Sequence, residues 1–480
     1  MRRPRLAAVL LLLLPAAAPA DAGRDAIIRQ WDPLYQRLCA DCHGSDRQGG
    51  LGGSLVDGKW RRGGSTEQIR HSIAVGWEKS GMPGYGTELS AAEVDGLVAY
   101  VQASFADFQS RQAAKAERAP DGTFAAGGVR FVVETVAAPL ETPWGIAWLP
   151  DGRMLVTERP GRLRIVARDG ALSAPVAGVP AVFAENQGGL LDVAVHPDYV
   201  RNGWIYLAFS EPRSIGGETR AFTAIVRGRV RDGRWRDEQT VFRAPDRHYT
   251  DSAKHWGCKL VFDGRGHLFF GIGDRGDMDR AQDPADPAGK IHRVRDDGTV
   301  PPDNPFAGRG DAFPSVWALG VRNPQGLALD PATGALWETE HGPRGGDELN
   351  RVAPGANYGW PRVSLGRNYN FAPVKWKKSL PGLENPVHAW SPSLAASGLA
   401  AYAGDAFPAW RGSLLAGGLA REELRRLAVA PDGTVVDELL LKGLGRVRDV
   451  RVGPDGHVYL ALNHRREHLG RIVRLRPVSP

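Results

Sequence analysis

From Val129 onward the chain is written in short apolar, often β-branched runs separated by Pro-Asp-Gly and similar turns, with no long amphipathic helical stretch between them. The units include Leu149-Pro150-Asp151-Gly152-Arg153-Met154-Leu155-Val156, Phe262-Asp263-Gly264-Arg265-Gly266-His267-Leu268-Phe269, Leu329-Asp330-Pro331, Ala430-Pro431-Asp432-Gly433 and Gly453-Pro454-Asp455-Gly456-His457-Val458-Tyr459-Leu460. Asp-Gly between two strand-like runs is a hairpin signal. A chain that repeats strand, turn, strand over residues 129–478 must protect many sheet edges, and radial repetition does so, which predicts an all-β β-propeller. A pair of β-sandwiches or a β-helix would satisfy the same periodicity. Uneven spacing between turns implies long insertions in some blades, and such loops commonly carry binding sites.

The N-terminal part follows a different pattern. Cys39-Ala40-Asp41-Cys42-His43 places two thiols two residues apart with an imidazole directly after them, the pattern of c-type haem attachment. The spacing lets Cys39 and Cys42 form thioethers to the vinyl groups of one porphyrin while His43 ligates the iron. A redox dithiol or half of a zinc site are the alternatives. Zinc would need further ligands, and the only other cysteine is the distant Cys258, expected to be a small buried apolar residue. Between Gly44 and Pro120 the one methionine is Met82, in Gly81-Met82-Pro83-Gly84-Tyr85, which makes it the candidate sixth ligand. Ile27, Ile28, Trp31, Leu34, Tyr35 and Leu38 recur at helical spacing before the motif. Ser90 and Glu93 form a capping box ahead of Val94, Leu97, Val98 and Val101. Residues 23–104 therefore resemble a small all-α class I cytochrome c domain.

Arg2, Arg3 and Arg5 precede an apolar run from Leu6 to Ala18 and small-residue cleavage sites, so residues 1–22 read as a secretory signal peptide. The run is too short to span a bilayer comfortably, and no stable membrane span is expected. Haem attachment and export together point to the periplasm. The formal net charge of +7 includes those three arginines and is otherwise spread along the chain, which gives a nucleic-acid role little support. Residues 105–128 lack a strong apolar period and read as a linker.

Six blocks in the large domain occur in a telling order: Asn186-Gln187-Gly188-Gly189-Leu190-Leu191-Asp192, His255-Trp256-Gly257-Cys258-Lys259-Leu260-Val261-Phe262, Gly320-Val321-Arg322-Asn323-Pro324-Gln325-Gly326-Leu327, Glu340-His341-Gly342-Pro343-Arg344-Gly345-Gly346-Asp347-Glu348, Asn357-Tyr358-Gly359-Trp360-Pro361 and Arg446-Val447-Arg448-Asp449-Val450. Together they resemble the soluble pyrroloquinoline quinone (PQQ) dependent aldose and glucose dehydrogenases, a six-bladed propeller family. The resemblance covers nearly all of residues 129–478 and implies oxidation of an aldose at its C1 hydroxyl to a lactone. It implies that Arg446 and Arg448 bind PQQ carboxylates, and two residues apart in a strand they should share a face. Arg322 and Asn323 resemble the pair at the quinone carbonyl, where donors stabilise negative charge during reduction. Gly342 and Pro343 match positions whose backbone carbonyls bind the Ca2+ at PQQ, and Glu348 and Tyr358 match ligands of a second Ca2+. His255 is the implied general base, Gln187 a polar neighbour of PQQ and substrate with a loop-capping role as the alternative, and His341 a structural residue.

Two positions depart from the family pattern. Lys254 stands where relatives commonly carry Asp or Asn, and would lower the pKa of His255 if it pointed inward or face solvent otherwise. A PQQ-binding lysine of relatives aligns with Ala420, with Arg421 next to it as a possible substitute. A reduced quinone holds two electrons and a haem takes one, so a tethered cytochrome would discharge PQQ in two steps and reduce an external cytochrome or other respiratory acceptor. A calcium-dependent propeller lactonase and a non-catalytic docking module for the cytochrome are the alternative functions.

Overall fold

The computed structural model describes residues 19–44, 47, 53–56, 60, 62–77, 82–116, 123–366, 374, 379–464 and 469–478. The arginines and apolar run of the expected signal peptide lie outside these residues. The chain divides into two compact units, Met1–Glu117 and Arg118–Pro480.

In the first unit, helices α1 (Pro19–Leu38), α2 (Ala40–His43), α3 (Thr66–Ala74) and α4 (Ala91–Ala116) enclose a small core. Tyr35 from α1, Ile69 and Ile73 from α3, and Val94, Leu97, Val98, Tyr100 and Val101 from α4 are buried together. The helical periods read from the sequence thus become the inner faces of α1 and α4. These two helices cross at Gly96, where a Cβ would meet the Trp31 ring at 2.2 Å, so only glycine permits the approach. Beside the crossing, Tyr100 Oη donates to Asp32 Oδ1 at 2.5 Å and receives Arg47 Nη1 at 2.7 Å, joining α1, α4 and the loop after the cysteine motif. The capping box closes as expected: Ser90 N donates to Glu93 Oε2 at 2.9 Å and Glu93 N to Ser90 Oγ at 3.3 Å. The segment 105–128, expected as a linker, is helical to Ala116 and enters a sheet at Phe124–Ala126. Its helical part is held in the first unit by the edge-on contact of Phe105 with Trp60 at 5.8 Å.

The second unit is a six-bladed propeller of antiparallel sheets. Blade 1 has three strands, Pro143–Trp148, Met154–Glu158 and Arg162–Val166. Blades 2 to 5 have four each, beginning with Leu190–Val195, Leu260–Phe262, Pro324–Leu329 and Ala396–Ala401. Blade 6 combines Arg446–Val452, Val458–Asn463 and Leu469–Pro477 with Val129–Glu141 from the other end of the unit. The ring is therefore closed by pairing its first long strand with its last, with Phe124–Ala126 added outside. The Pro-Asp-Gly turns fall where hairpins need them: Asp151-Gly152, Asp263-Gly264, Asp432-Gly433 and Asp455-Gly456 each join two paired strands.

The first strand of each blade contacts the first strand of the next around the whole circle, so these six strands form the inner wall. Five of them carry a register shift, at Pro143/Ile146, Leu190/Val193, Pro324/Gly326, Ala396/Leu399 and Val447/Asp449. A bulge breaks the two-residue alternation and turns extra side chains inward. Asp192 and Asp449, within or beside such bulges, converge on one buried cation: Lys259 Nζ lies 3.2 Å from Asp192 Oδ1 and 2.9 Å from Asp449 Oδ1. Arg451 joins them, with Nη2 2.9 Å from Asp192 Oδ2. The cluster ties blades 2, 3 and 6 at the axis, and Lys259 Nζ also donates to Trp144 O of blade 1 at 3.3 Å.

Candidate active site

His255 lies in a loop ahead of the first strand of blade 3, outside any sheet, with a left-handed φ of 51°. Its Nδ1 and Asp274 Oδ1 are 2.5 Å apart. Asp274 stands just past the strand His267–Ile272 and is 1% exposed, and both of its oxygens are engaged. Gly276 N donates to Oδ1 at 2.8 Å and Trp360 Nε1 to Oδ2 at 2.8 Å. A carboxylate fixed this way holds the imidazole with its proton on Nδ1 and its lone pair on Nε2. The pKa of His255 is lowered, first by burial and then by Arg322 and Arg275, against the raising effect of Asp274. Lys254 is exposed, so of the two expected placements it adopts the solvent-facing one.

Gln187 accepts from the backbone of the histidine loop: His255 N donates to Gln187 Oε1 at 2.8 Å. This contact ties Gln187 to the loop that carries His255. Asn323 accepts Gly257 N at 3.3 Å and Gln325 Nε2 at 3.0 Å on its oxygen, which turns its amino group toward His341, 3.5 Å from Nδ1.

Four arginines gather near these groups. Arg322 Nη1 donates to His341 O at 2.9 Å and Gly342 O at 3.0 Å, with its guanidinium 5.3 Å from the Trp360 ring centroid. Arg448 donates to Gln325 Oε1 at 3.1 Å and lies 3.9 Å over Trp144. Burial, then repulsion from Arg446 and Arg159, pulls the pKa of Arg448 well down. The bulge at Val447/Asp449 interrupts the alternation on which a shared face for Arg446 and Arg448 was expected, yet both still press on His341 electrostatically. Arg322 Nε, Arg448 Nε and His341 Nε2 are buried with no hydrogen-bond partner among the described residues. Two desolvated guanidinium donors left open beside a buried imidazole nitrogen call for an anionic acceptor. Ala420 is exposed at the turn after Leu414–Gly418, and the adjacent Arg421 is half-buried.

The expected calcium positions lie next to this wall. Arg322, Glu340, His341, Gly342, Pro343, Glu348, Tyr358 and Trp360 are among the residues lining one small cavity, large enough for about one water or ion. Gly342 O already accepts from Arg322, which leaves its second lone pair for a cation. Glu348 sits on the strand Asp347–Val352 opposite Glu340, and Asn350 opposite Glu338. Asn350 Nδ2 donates to Glu338 Oε1 at 2.7 Å and to Glu348 Oε2 at 3.2 Å. Burial pushes Glu338, Glu340 and Glu348 above the ordinary carboxylate range. Among the described residues no three acidic, histidine or cysteine side chains converge as a ligand set, so a cation here would draw on backbone oxygens too. The Tyr358 hydroxyl donates to Arg351 O at 2.6 Å and receives Ala353 N at 3.0 Å, leaving the backbone carbonyl as the group Tyr358 offers.

In the first unit, Cys39 is the N-cap of α2, Cys42 lies within it and His43 ends it. His43 Nδ1 is 2.8 Å from Gly53 O, which directs the other ring nitrogen outward as a ligand. Burial keeps the imidazole neutral, the form that binds metal. Met82 is half-buried in a short antiparallel bridge, with Trp77 N donating to Met82 O at 2.7 Å. Cys258 is buried, as expected, and burial raises its pKa.

A model of the family described as Glucose / Sorbosone dehydrogenase matches residues 140–474. The chain belongs to this family. A second model, described as cytochrome c oxidase, cbb3-type, subunit III, matches residues 26–101. Aldose sugar dehydrogenase YliI of Escherichia coli is 41% identical over 351 residues, 72% of this chain and 92% of its own. A crystal structure of a glucose dehydrogenase shares 44% identity at a TM-score of 0.68, covering 72% of this chain and 99% of that one. The PQQ-bound form of an aldose sugar dehydrogenase from Streptomyces coelicolor shares 29% identity at a TM-score of 0.60, covering 72% and 98%. Members of the glucose/sorbosone dehydrogenase family are oxidoreductases, and this chain is one of them.

Asp274, Arg275, Arg159 and Trp360 of this dehydrogenase stand beside the expected site residues but were not expected in functional roles. Asp274 had a signal: Gly273-Asp274-Arg275-Gly276 directly follows the strand run Leu268-Phe269-Phe270-Gly271-Ile272, a carboxylate between glycines at a strand end. Arg159 had none, because a single arginine after the strand Met154–Glu158 reads as solvated charge. Its Nη1 donates to Asn186 O at 2.6 Å and so fixes the block that carries Gln187.

Proposed function

We propose that the protein is a periplasmic quinohaemoprotein dehydrogenase that oxidises the C1 hydroxyl of an aldose to a lactone with PQQ and Ca2+. Its electrons pass to its own c-type haem and then to an external cytochrome or other respiratory acceptor. The observation that carries this reading is the His255–Asp274 pair set beside buried Arg322 and Arg448, whose Nε atoms have no hydrogen-bond partner among the described residues. A planar tricarboxylate suits that surplus of cationic donors.

PQQ, when bound, supplies the hydride acceptor. Arg446 and Arg448 would hold its carboxylates, Arg322 and the amino group of Asn323 its quinone oxygen, and Gly342 and Pro343 the Ca2+ through their carbonyls. Glu348 and Tyr358 would serve a second Ca2+. His255 Nε2 takes the proton of the C1 hydroxyl as the C1 hydrogen leaves with its electron pair, which completes a two-electron oxidation. Asp274 keeps that nitrogen unprotonated and then steadies the imidazolium. The lowered pKa of His255 leaves it neutral and ready at pH 7. In the first unit, Cys39 and Cys42 would attach the haem and His43 and Met82 ligate its iron. The arginines ahead of the apolar run support export, and among the described residues no helix is long and apolar enough to cross a membrane.

The test is to load the protein with PQQ and Ca2+, add an aldose and follow the haem absorption bands. Reduction of the haem supports the whole sequence. A haem that stays oxidised while a soluble dye is reduced removes the internal relay, and no reduction of either removes the dehydrogenase reading.

A further inference from the structure

We infer that Arg275 is a positioning residue for His255, clamping the loop that carries the imidazole while Asp274, its neighbour in the chain, holds the ring. This inference rests on the assignment of His255 as the base. Arg275 is 1% exposed, and among the described residues it forms no salt bridge. Its guanidinium lies 3.1 Å from the Trp256 ring centroid. Nη1 donates to Lys254 O and Nη2 to Ser252 O, the two carbonyls leading into His255. Nε has no partner. A buried arginine ordinarily meets a carboxylate, and one that meets only backbone and an aromatic face is costly to keep.

The loop explains the need. Residues 251–259 lie outside any strand, so their carbonyls have no ladder to join. Arg275 provides from blade 3 what a neighbouring strand would otherwise give. Other elements anchor the rest of the loop: Gln187 Oε1 accepts His255 N, Thr223 Oγ1 donates to Trp256 O at 3.1 Å, and Asn323 Oδ1 accepts Gly257 N. Three non-glycine residues with left-handed φ meet here, Asn186 at 48°, His255 at 51° and Arg275 at 61°. Such conformations persist where surrounding contacts over-determine them, and they gather at functional sites. The fork shape of the guanidinium matters, because a lysine cannot donate to two divergent carbonyls and stack at once.

The charge has a second effect. His255 faces Asp274, which raises its pKa, and Arg322 and Arg275, which lower it; His341 lies across from it and Lys254 beside it in the chain faces solvent. Arg275 thus both places the imidazole and helps keep it unprotonated.

The experiment compares wild type, His255→Ala, Arg275→Lys and Arg275→Gln, each loaded with PQQ and Ca2+ and scored per PQQ-titrated site. Arg275→Lys keeps the charge and loses the clamp: kcat should fall about 10- to 100-fold with KM changed less than about threefold, and the acid limb of kcat/KM should stay in place. Arg275→Gln should show a similar fall and also move the acid limb to higher pH. A residue needed only for folding would lower the number of titratable sites and the melting temperature without moving the limb. Wild-type kcat in Arg275→Lys with an unmoved limb in Arg275→Gln, while His255→Ala is inactive, overturns the inference and leaves the base assignment standing. Turnover retained in His255→Ala overturns both.

Discussion

Replacing Asp274 with Asn tests the centre of the proposed mechanism with the smallest change of shape. The native carboxylate receives three donors, His255 Nδ1 at 2.5 Å, Gly276 N at 2.8 Å and Trp360 Nε1 at 2.8 Å, and is 1% exposed. An amide has one acceptor end. If its oxygen turns to Trp360, the amino group meets His255 and Gly276, and the imidazole must move its proton to Nε2, where the base is lost. If the oxygen turns to His255, the amino group opposes the Trp360 N–H, a buried donor mismatch of about 1–3 kcal/mol. In both placements the negative charge that steadies the imidazolium disappears. General-base catalysis is worth about 10²- to 10⁴-fold, so kcat should fall by at least about 10²-fold, roughly 2.7 kcal/mol of barrier. Because Asp274 raises the pKa of His255, any residual activity should carry its acid limb to lower pH. Stopped-flow measurement of the haem bands at saturating aldose gives kcat, and titration with PQQ shows whether the site is intact. A fully titratable variant with kcat within about threefold of wild type refutes the assignment of the pair.

Three further outcomes are expected. The kcat/KM of the wild type should be present at neutral pH and lost as pH falls through a His255 pKa below the ordinary 6.5; a limb above 6.5 contradicts the depression by burial, Arg322 and Arg275. Arg448→Gln removes a buried cation over Trp144 and should weaken PQQ binding about 10- to 100-fold in a fluorescence titration, and an unchanged Kd would exclude it from the cofactor's contacts. Met82→Ala should open the iron to carbon monoxide and lower the haem potential, whereas an unaltered spectrum would point to a different sixth ligand.

Local chemistry was the legible part of this protein. Cys39, Cys42 and His43 declare themselves within five residues, and Asp-Gly turns such as Asp151-Gly152 mark hairpins because the turn needs a residue with positive φ. The helical period of Ile28, Trp31, Leu34 and Tyr35 gave α1 its inner face, since burial alone sets that pattern. Contacts made across blades were not legible. Asp274 meets Trp360 across blades, Arg275 grips carbonyls that a sequence does not display, and Arg159 reaches a loop of the next blade. Strict alternation would put Arg446 and Arg448 on one face, but a bulge that no residue type announces interrupts the strand at Arg448. At Gln187 the residue type is legible, but the end of its amide that meets the histidine loop depends on the fold.

The lock between Val129–Glu141 and Leu469–Pro477 sets an order of maturation. Every residue of the haem unit, which is helical to Ala116, leaves the ribosome before the propeller begins, while the ring stays open until its final strand arrives. A stop codon a few positions before Leu469 would remove the strand that closes the ring and leave two bare sheet edges, at Val129–Glu141 and Val458–Asn463, a product expected to aggregate.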